Sequence, residues 1–448
     1  MTTMRRLQTA VVWSLWLLST FVCSFKIKSS ASNSPHTGRS NRRGSGSMQR
    51  DVRSGYLTVD EEHGSNMFFW FFPAAKDKAD APVVLWLQGG PGASSLHGVF
   101  NINGSFSAYK CDGSMLKLRD HAWTNTHSVL YVDNPYRPDS RRPEHVRHLG
   151  TILQAVPRVP AQRFLRDRRV VRRSLRTRRI VRHPPEQPRS RDQYQPQRVA
   201  IGNGLVDPLN QLFYSEYLHK YGLIDENGKR IFEQYESTVR AQILAGDYME
   251  AFRTYDEMLN GRLYQYPTLI KNLTGMQYYY NVLLDRQPPS FNDWMDFVEN
   301  PSVRVALHVG SRRFNKNTTV VQKHLLSNVM QSVAPWLANL LDSDQYRVLL
   351  YSGQFDIKFN HLGNMRMAQA LEWTGAERFR NNATRTIWRV LQRKTECDDG
   401  NETDVAGYAT TSGPLTVLLV RNAGHIVPAD QPVWALDLIN RFTAGKTF

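Results

Sequence analysis

Residues 81–95 read APVVLWLQGGPGASS, a short continuous apolar run that breaks into glycines. A run of that length with no polar alternation is the pattern of a strand buried on both faces, and the glycines after it mark a tight loop. Three other stretches have the same form: SVLYVDNP at 128–135, RVLLYSGQFD at 347–356 and LTVLLVRNAGH at 415–425, each apolar along its length and polar at its end. Buried strands separated by helical stretches imply a largely parallel sheet covered on both faces. Between about 209 and 300 the pattern changes to helical spacing, as in GKRIFEQYESTVRAQILAGDYMEAFRTYDEML. The expected class is therefore α/β, with a mostly parallel central sheet and a helical cap insertion. QPVWALDLINRFTAG reads as an amphipathic helix that closes the domain.

The 448 residues, 41% of them hydrophobic, can bury a large core. A formal charge of +17 suggests a polyanion partner until it is located along the chain. The stretch Arg137–Arg198 holds 18 Arg, no Lys and five acids, a net of +13, which leaves +4 for everything else. At the N-terminus, Arg5 and Arg6 precede an apolar run from Ala10 to Val22 and small residues near Ser24, the pattern of a secretory signal peptide over 1–24. Residues 25–53 are rich in Ser, Gly, Asn and Arg without apolar period and read as a disordered linker or pro-segment. A single domain is expected over 54–448, opening with a hairpin whose turn contains His63, Gly64 and Ser65. Sequons at Asn103, Asn272, Asn317, Asn382 and Asn401 fit a glycosylated product, secreted or lysosomal, with no membrane span once the signal is cleaved. Cleavage would also remove Cys23 and leave Cys111 and Cys397, which the sequence neither joins nor separates.

In open α/β sheets ligands bind at the carboxyl ends of the strands. There the chain places Gln88, Gly89 and Gly90 after one strand, Asp356 after another and His425 after a third. Glycines let backbone N–H groups approach a developing oxyanion, and an acid followed by a histidine fits the orienting acid and the base of a nucleophilic triad. With VVLWLQGGPGASSLHGVF, VAIGNGLVDP, NPSVRVALHVG, YSGQFD and AGHIVPADQPVWALDLI, the chain resembles the serine carboxypeptidases. With SGYLTV and SNMFFWFFPA it most resembles their vitellogenic-like branch. That resemblance implies an α/β-hydrolase fold and hydrolysis at the C-termini of peptides or proteins. Asp356 would be the acid and His425 the base, Gly90 would give an oxyanion N–H, and Gln88 and Gly89 would help hold the substrate's terminal carboxylate. Ala93 stands where many relatives carry a Cys. We expect no cofactor, no metal and no nucleic-acid partner; a homodimer is left open.

The family's nucleophile lies in a GESYxG elbow between VDNP and IGNG, and here no GxSxG occurs anywhere. Ser174, within RRSLRT, lacks the small neighbours that a strained elbow needs. Codons exist for Phe164–Arg178 that, read one base later, spell FYVTGESYAGAYVP, with the serine codon bridging Val170 and Val171. GC-rich coding DNA read out of frame is also rich in Arg codons, which accounts for Arg without Lys. The aberrant segment, about 136–198, thus reads as the out-of-frame shadow of a catalytic elbow, and we expect it to be extruded and to leave the sheet without its middle strand. Two other readings compete: a non-catalytic secreted relative that binds without cleaving, and a polyanion-binding arm. The arm has few interleaved aromatics and follows a targeting signal that leads away from most nucleic acid.

Overall fold

The structure, a computed structural model, describes residues 20–25, 52–60, 65–90, 92–108, 116–133, 197–263, 266–316, 325–391 and 403–448. Its frame is a ten-stranded sheet. The strands in chain order are β1 (Thr20–Phe25), β2 (Arg53–Asp60), β3 (Ser65–Phe72), β4 (Val83–Leu87), the small hairpin pair β5 (Phe106–Ser107) and β6 (Lys117–Leu118), then β7 (Ser128–Val132), β8 (Gln197–Gly202), β9 (Tyr346–Gly353), β10 (Thr384–Leu391), β11 (Thr403–Ser412) and β12 (Leu415–Val420). Across the sheet the order is β10-β11-β12-β9-β8-β1-β4-β7-β3-β2.

The apolar runs explain the interior. Alternate residues of each strand point to opposite faces, so Val84 and Trp86 of β4 join one core with Val129, Tyr131, Ala200, Leu349 and Leu418. Leu85 and Leu87 join the other with Leu130, Val132, Ile201, Val348 and Leu350. Both faces being covered, no polar alternation is tolerated, and all five residues of β4 and of β7 are buried. The helices between Pro208 and Ala306 carry a third cluster built on Tyr214, Tyr217, Phe232, Phe252 and Tyr255.

The sheet is mixed: β12, β9 and β8 pair parallel on one side and β4 and β7 on the other, these two groups running the same way, while the remaining pairings are antiparallel. Between β8 and β4 lies β1, antiparallel to both, with Val22 opposite Trp86 on one flank and Ala200 on the other. The sheet is therefore continuous. The expectation that it lacks its middle is corrected: a strand from the first 25 residues fills the gap. The physical reason is that two facing rows of buried N–H and C=O groups demand partners, and TFVCSF is an apolar run able to supply them.

The hairpin expected near the start forms as β2 against β3, Tyr56 opposite Phe68, with its turn residues outside those described except Ser65. The Arg-rich run, Ser174, Cys111 and Cys397 also lie outside the described residues. Of the sequons, Asn272 and Asn382 are exposed, whereas Asn103 is buried and accepts from the Tyr131 hydroxyl at 3.0 Å. The other two are outside the described residues. No helix among the described residues is long and apolar enough to cross a membrane.

Candidate active site

Asp356 follows β9 by three residues and His425 follows β12 by five, and the two strands are parallel neighbours. Their loops can touch because both are glycine at the point of approach. A Cβ on Gly353 would lie 2.1 Å from the carbonyl oxygen of Gly424, and one on Gly424 would lie 2.2 Å from that of Tyr280. The approach brings His425 Nδ1 to 2.9 Å from Asp356 Oδ2. Asp356 is fully buried. Its carboxylate also accepts from Asn203 Nδ2 at 2.7 Å and from the backbone N–H of Phe359 at 3.2 Å. A buried carboxylate needs such donors to offset its lost hydration. Asn203, just past β8, adopts a left-handed backbone with φ +49° to make its bond.

His425 is held on every side. Its backbone N–H donates to the Tyr280 carbonyl at 2.6 Å. Its ring packs on the Tyr280 ring, centroids 4.7 Å apart, and on Phe359 at 5.7 Å. Asp430 accepts from the Gly424 N–H at 2.6 Å and from Asn281 Nδ2 at 3.1 Å, which pins the loop that carries the imidazole. Burial raises the Asp430 carboxyl above its ordinary range, against the effect of those two donors. With Nδ1 committed to Asp356, Nε2 is the ring nitrogen left for a substrate-side group.

The glycine loop after β4 is braced separately. The Gln88 N–H donates to Ser95 Oγ at 3.1 Å, and that hydroxyl donates to the Val132 carbonyl at 2.6 Å. Gln88 Oε1 accepts from Trp86 Nε1 at 3.2 Å. Asp133, at the end of β7, accepts from Ser94 Oγ at 2.9 Å and from the Ser95 N–H at 2.7 Å. Burial pushes its carboxyl up to about 6 despite those bonds. Gly89 is buried and Gly90 half-buried, with Gly92 in the left-handed region at φ +81°. The chain then turns into His97, half-buried and brought down to about 4 by burial, then by the nearby Arg119 and His425 charges.

A cavity of about 420 Å³ is lined by Tyr280 and Ile426, the first packed on the His425 ring and the second next to it in the chain. Tyr278 and Phe291 add to its apolar lining, and Lys117 and Arg119 also line it. The structure thus brings Asp356 and His425 into direct contact and sets Gln88, Gly89 and Gly90 in a braced loop at the same end of the sheet. Sequence reasoning missed Asn203, Tyr280 and His97. Asn203 had a signal, the GNG after an apolar strand; the others had none, because their roles arise only when distant loops meet.

A buried Asp–His pair and a glycine loop, delivered at the carboxyl ends of co-directional strands in a helix-covered sheet, define an α/β-hydrolase. Within that class the chain belongs to the serine carboxypeptidase family, whose model matches residues 44–137 and 178–445. Similar proteins include a venom serine carboxypeptidase of Apis mellifera, 41% identical over 88% of this chain and 85% of that one. A vitellogenic carboxypeptidase of Aedes aegypti is 34% identical over 87% of this chain and 83% of its own. Among solved structures, the prohormone-processing carboxypeptidase Kex1(Δ)p of Saccharomyces cerevisiae superposes with a TM-score of 0.61, 19% identity, and coverage of 88% of this chain and 91% of that one. At that identity the likeness speaks for the fold alone. By family, the chain is a serine-type carboxypeptidase acting on peptides.

Proposed function

We propose that Asp356 and His425 are the acid and base of a carboxypeptidase triad, that Gly90 contributes an oxyanion N–H, and that Gln88 and Gly89 help hold the substrate's terminal carboxylate. The observation that carries this reading is the 2.9 Å bond between His425 Nδ1 and a fully buried Asp356. Such a bond fixes one tautomer, so that Nε2 can take the proton of an attacking serine hydroxyl. The serine oxygen bonds to the last peptide carbonyl, whose oxygen takes the negative charge against backbone N–H groups. The proton then passes from Nε2 to the departing amine as the C–N bond breaks. Water repeats the sequence to free the acyl group.

This chain supplies no elbow serine, so in this form it does not turn over. The interruption of the family match between 137 and 178 supports the reading of the Arg-rich run as out-of-frame coding sequence. The product is targeted to the secretory pathway, and the exposed Asn272 and Asn382 are the described sequons best placed to carry glycans.

The test is to replace residues 164–177 with FYVTGESYAGAYVP and to treat both chains with a fluorophosphonate probe and a C-terminally blocked or free peptide. The restored chain should label at the new serine and release the last residue of the free peptide only. Absence of both from a folded restored chain refutes the triad. A second reading, a secreted relative that binds and does not cleave, rests on the missing serine itself. Protein from native tissue should then remain unlabelled, and a transcript whose uninterrupted frame encodes the arginines would favour it.

A further inference from the structure

Lys358 lies two residues beyond Asp356, only 6% exposed. Among the described residues no carboxylate forms an ion pair with it; its ammonium makes a long contact of 3.5 Å to the Tyr280 hydroxyl. It also lies 5.0 Å from the centre of the Tyr280 ring, 5.5 Å from Phe359 and 5.7 Å from Tyr279. Two of these three rings, Tyr280 and Phe359, are the ones packed on His425. The lysine backbone is fixed as well, its N–H donating to Tyr279 and its carbonyl accepting from Tyr214. A buried amine without a counter-ion is costly, and here it is spent on an aromatic cage shared with an imidazole.

We propose that Lys358 is a positioning residue for His425: its ammonium holds the Tyr280 and Phe359 rings against the imidazole, and its charge opposes a second positive charge there. The inference rests on reading His425 as the general base. A cation attracts the faces of aromatic rings, so Lys358 orders both. Like charges across a dry site disfavour one another's protonated form. Burial lowers the Lys358 amine itself, and Arg262 lowers it further, while Tyr280 and Asp356 favour its charge. The described groups facing His425 from other elements are Asp356, which favours the imidazolium, the Tyr280 phenol packed on its ring, and His97 from the turn after the glycine loop; Asp430 lies on its own loop.

The full chain is followed by NMR, with the His425 ring proton identified by its loss in His425→Gln. In Lys358→Met its titration should move up by about half a pH unit, a roughly threefold gain in proton affinity. Lys358→Arg, which keeps charge and cage contacts, should leave it in place. A folded Lys358→Met with no upward movement overturns the proposal, as does a Lys358→Arg that moves equally far. Should Lys358→Met not fold, Lys358→Gln carries the same expectation. Failure of both neutral variants to fold beside a folded Lys358→Arg makes the charge a folding requirement and overturns it too. No turnover is needed, so this result stands apart from probe labelling. A titration that moves in a restored chain that never labels would keep the coupling and remove the hydrolase reading.

Discussion

At the scale of residues, the site centres on a buried carboxylate, Asp356, satisfied by specific donors. In the restored chain, Asp356→Asn should keep the packing but turn a donor toward Nδ1, favouring the wrong tautomer. Probe labelling should fall by about 10³–10⁴-fold with little change in peptide affinity, measured by labelling rate and equilibrium binding. A second expectation concerns acid. His97 and His127 are each lowered from 6.5 to about 4, in both cases mainly by burial. Their folded forms prefer the neutral ring, so the stability they lend is present above about 6.5 and lost as pH falls toward 4. Asp133, raised from 3.8 to about 6, acts oppositely: its contribution is full below about 4 and lost as pH rises through 6. The histidine contribution falls across that interval, so His127→Gln should flatten the slope of melting temperature against pH between 6.5 and 4. An unchanged slope would exclude His127 as a cause. Asp356 and His425 were legible in the sequence because each lies a few residues past an apolar strand. Lys358 was not, since nothing in GQFDIKFN tells a buried lysine from a solvated one.

At the scale of elements, the long apolar runs announced β4, β7, β9 and β12, because a strand buried on both faces has no other way to be written. The loops that set the chemistry depend on a closer fit. Gly353→Ala would press a methyl group onto the Gly424 carbonyl, which is backbone and cannot swing away. The expected cost is about 1–3 kcal/mol. Because the strain separates the two loops that carry Asp356 and His425, the restored chain should lose labelling more than stability, as read by labelling rate beside thermal melting. The central antiparallel strand was illegible for a different reason. TFVCSF is short and apolar, and the end of a targeting segment and a buried strand are spelled alike. Only the register shows its use: Phe21 faces Leu87 and Ile201, and Val22 faces Trp86 and Ala200. Val22→Pro removes a donor inside a central ladder, which sheets do not tolerate. Amide exchange at Leu85 and Ile201 should then accelerate far more than at Leu418 across the sheet. Equal protection would mean that β1 does not hold the centre.

At the scale of the whole molecule, charge and continuity meet at one interval. The net of +13 between Arg137 and Arg198 separates the chain segment carrying β4 and β7 from the one carrying β8 and β9, and the family match fails within it. In the full chain β1 bridges the two parts, but cleavage after Ser24 would take away all but one residue of that strand. The inner edges of β4 and β8 would then face each other unpaired. Each lost ladder bond costs about 1 kcal/mol net, and more where a buried group is left unsatisfied. Summed over both edges, that is a large part of the 5–15 kcal/mol by which a domain is usually stable. Two chains beginning at Phe25 decide the matter, one with the arginines and one with FYVTGESYAGAYVP in place of residues 164–177. The first should show no cooperative melt and should bind a dye specific for exposed apolar surface. The second should melt in one transition, because an apolar strand entering from the β7 side can run parallel to both neighbours and close the sheet. A cooperative melt from the first chain would mean that the sheet closes without either strand, and the elbow reading of the interval would lose its structural ground.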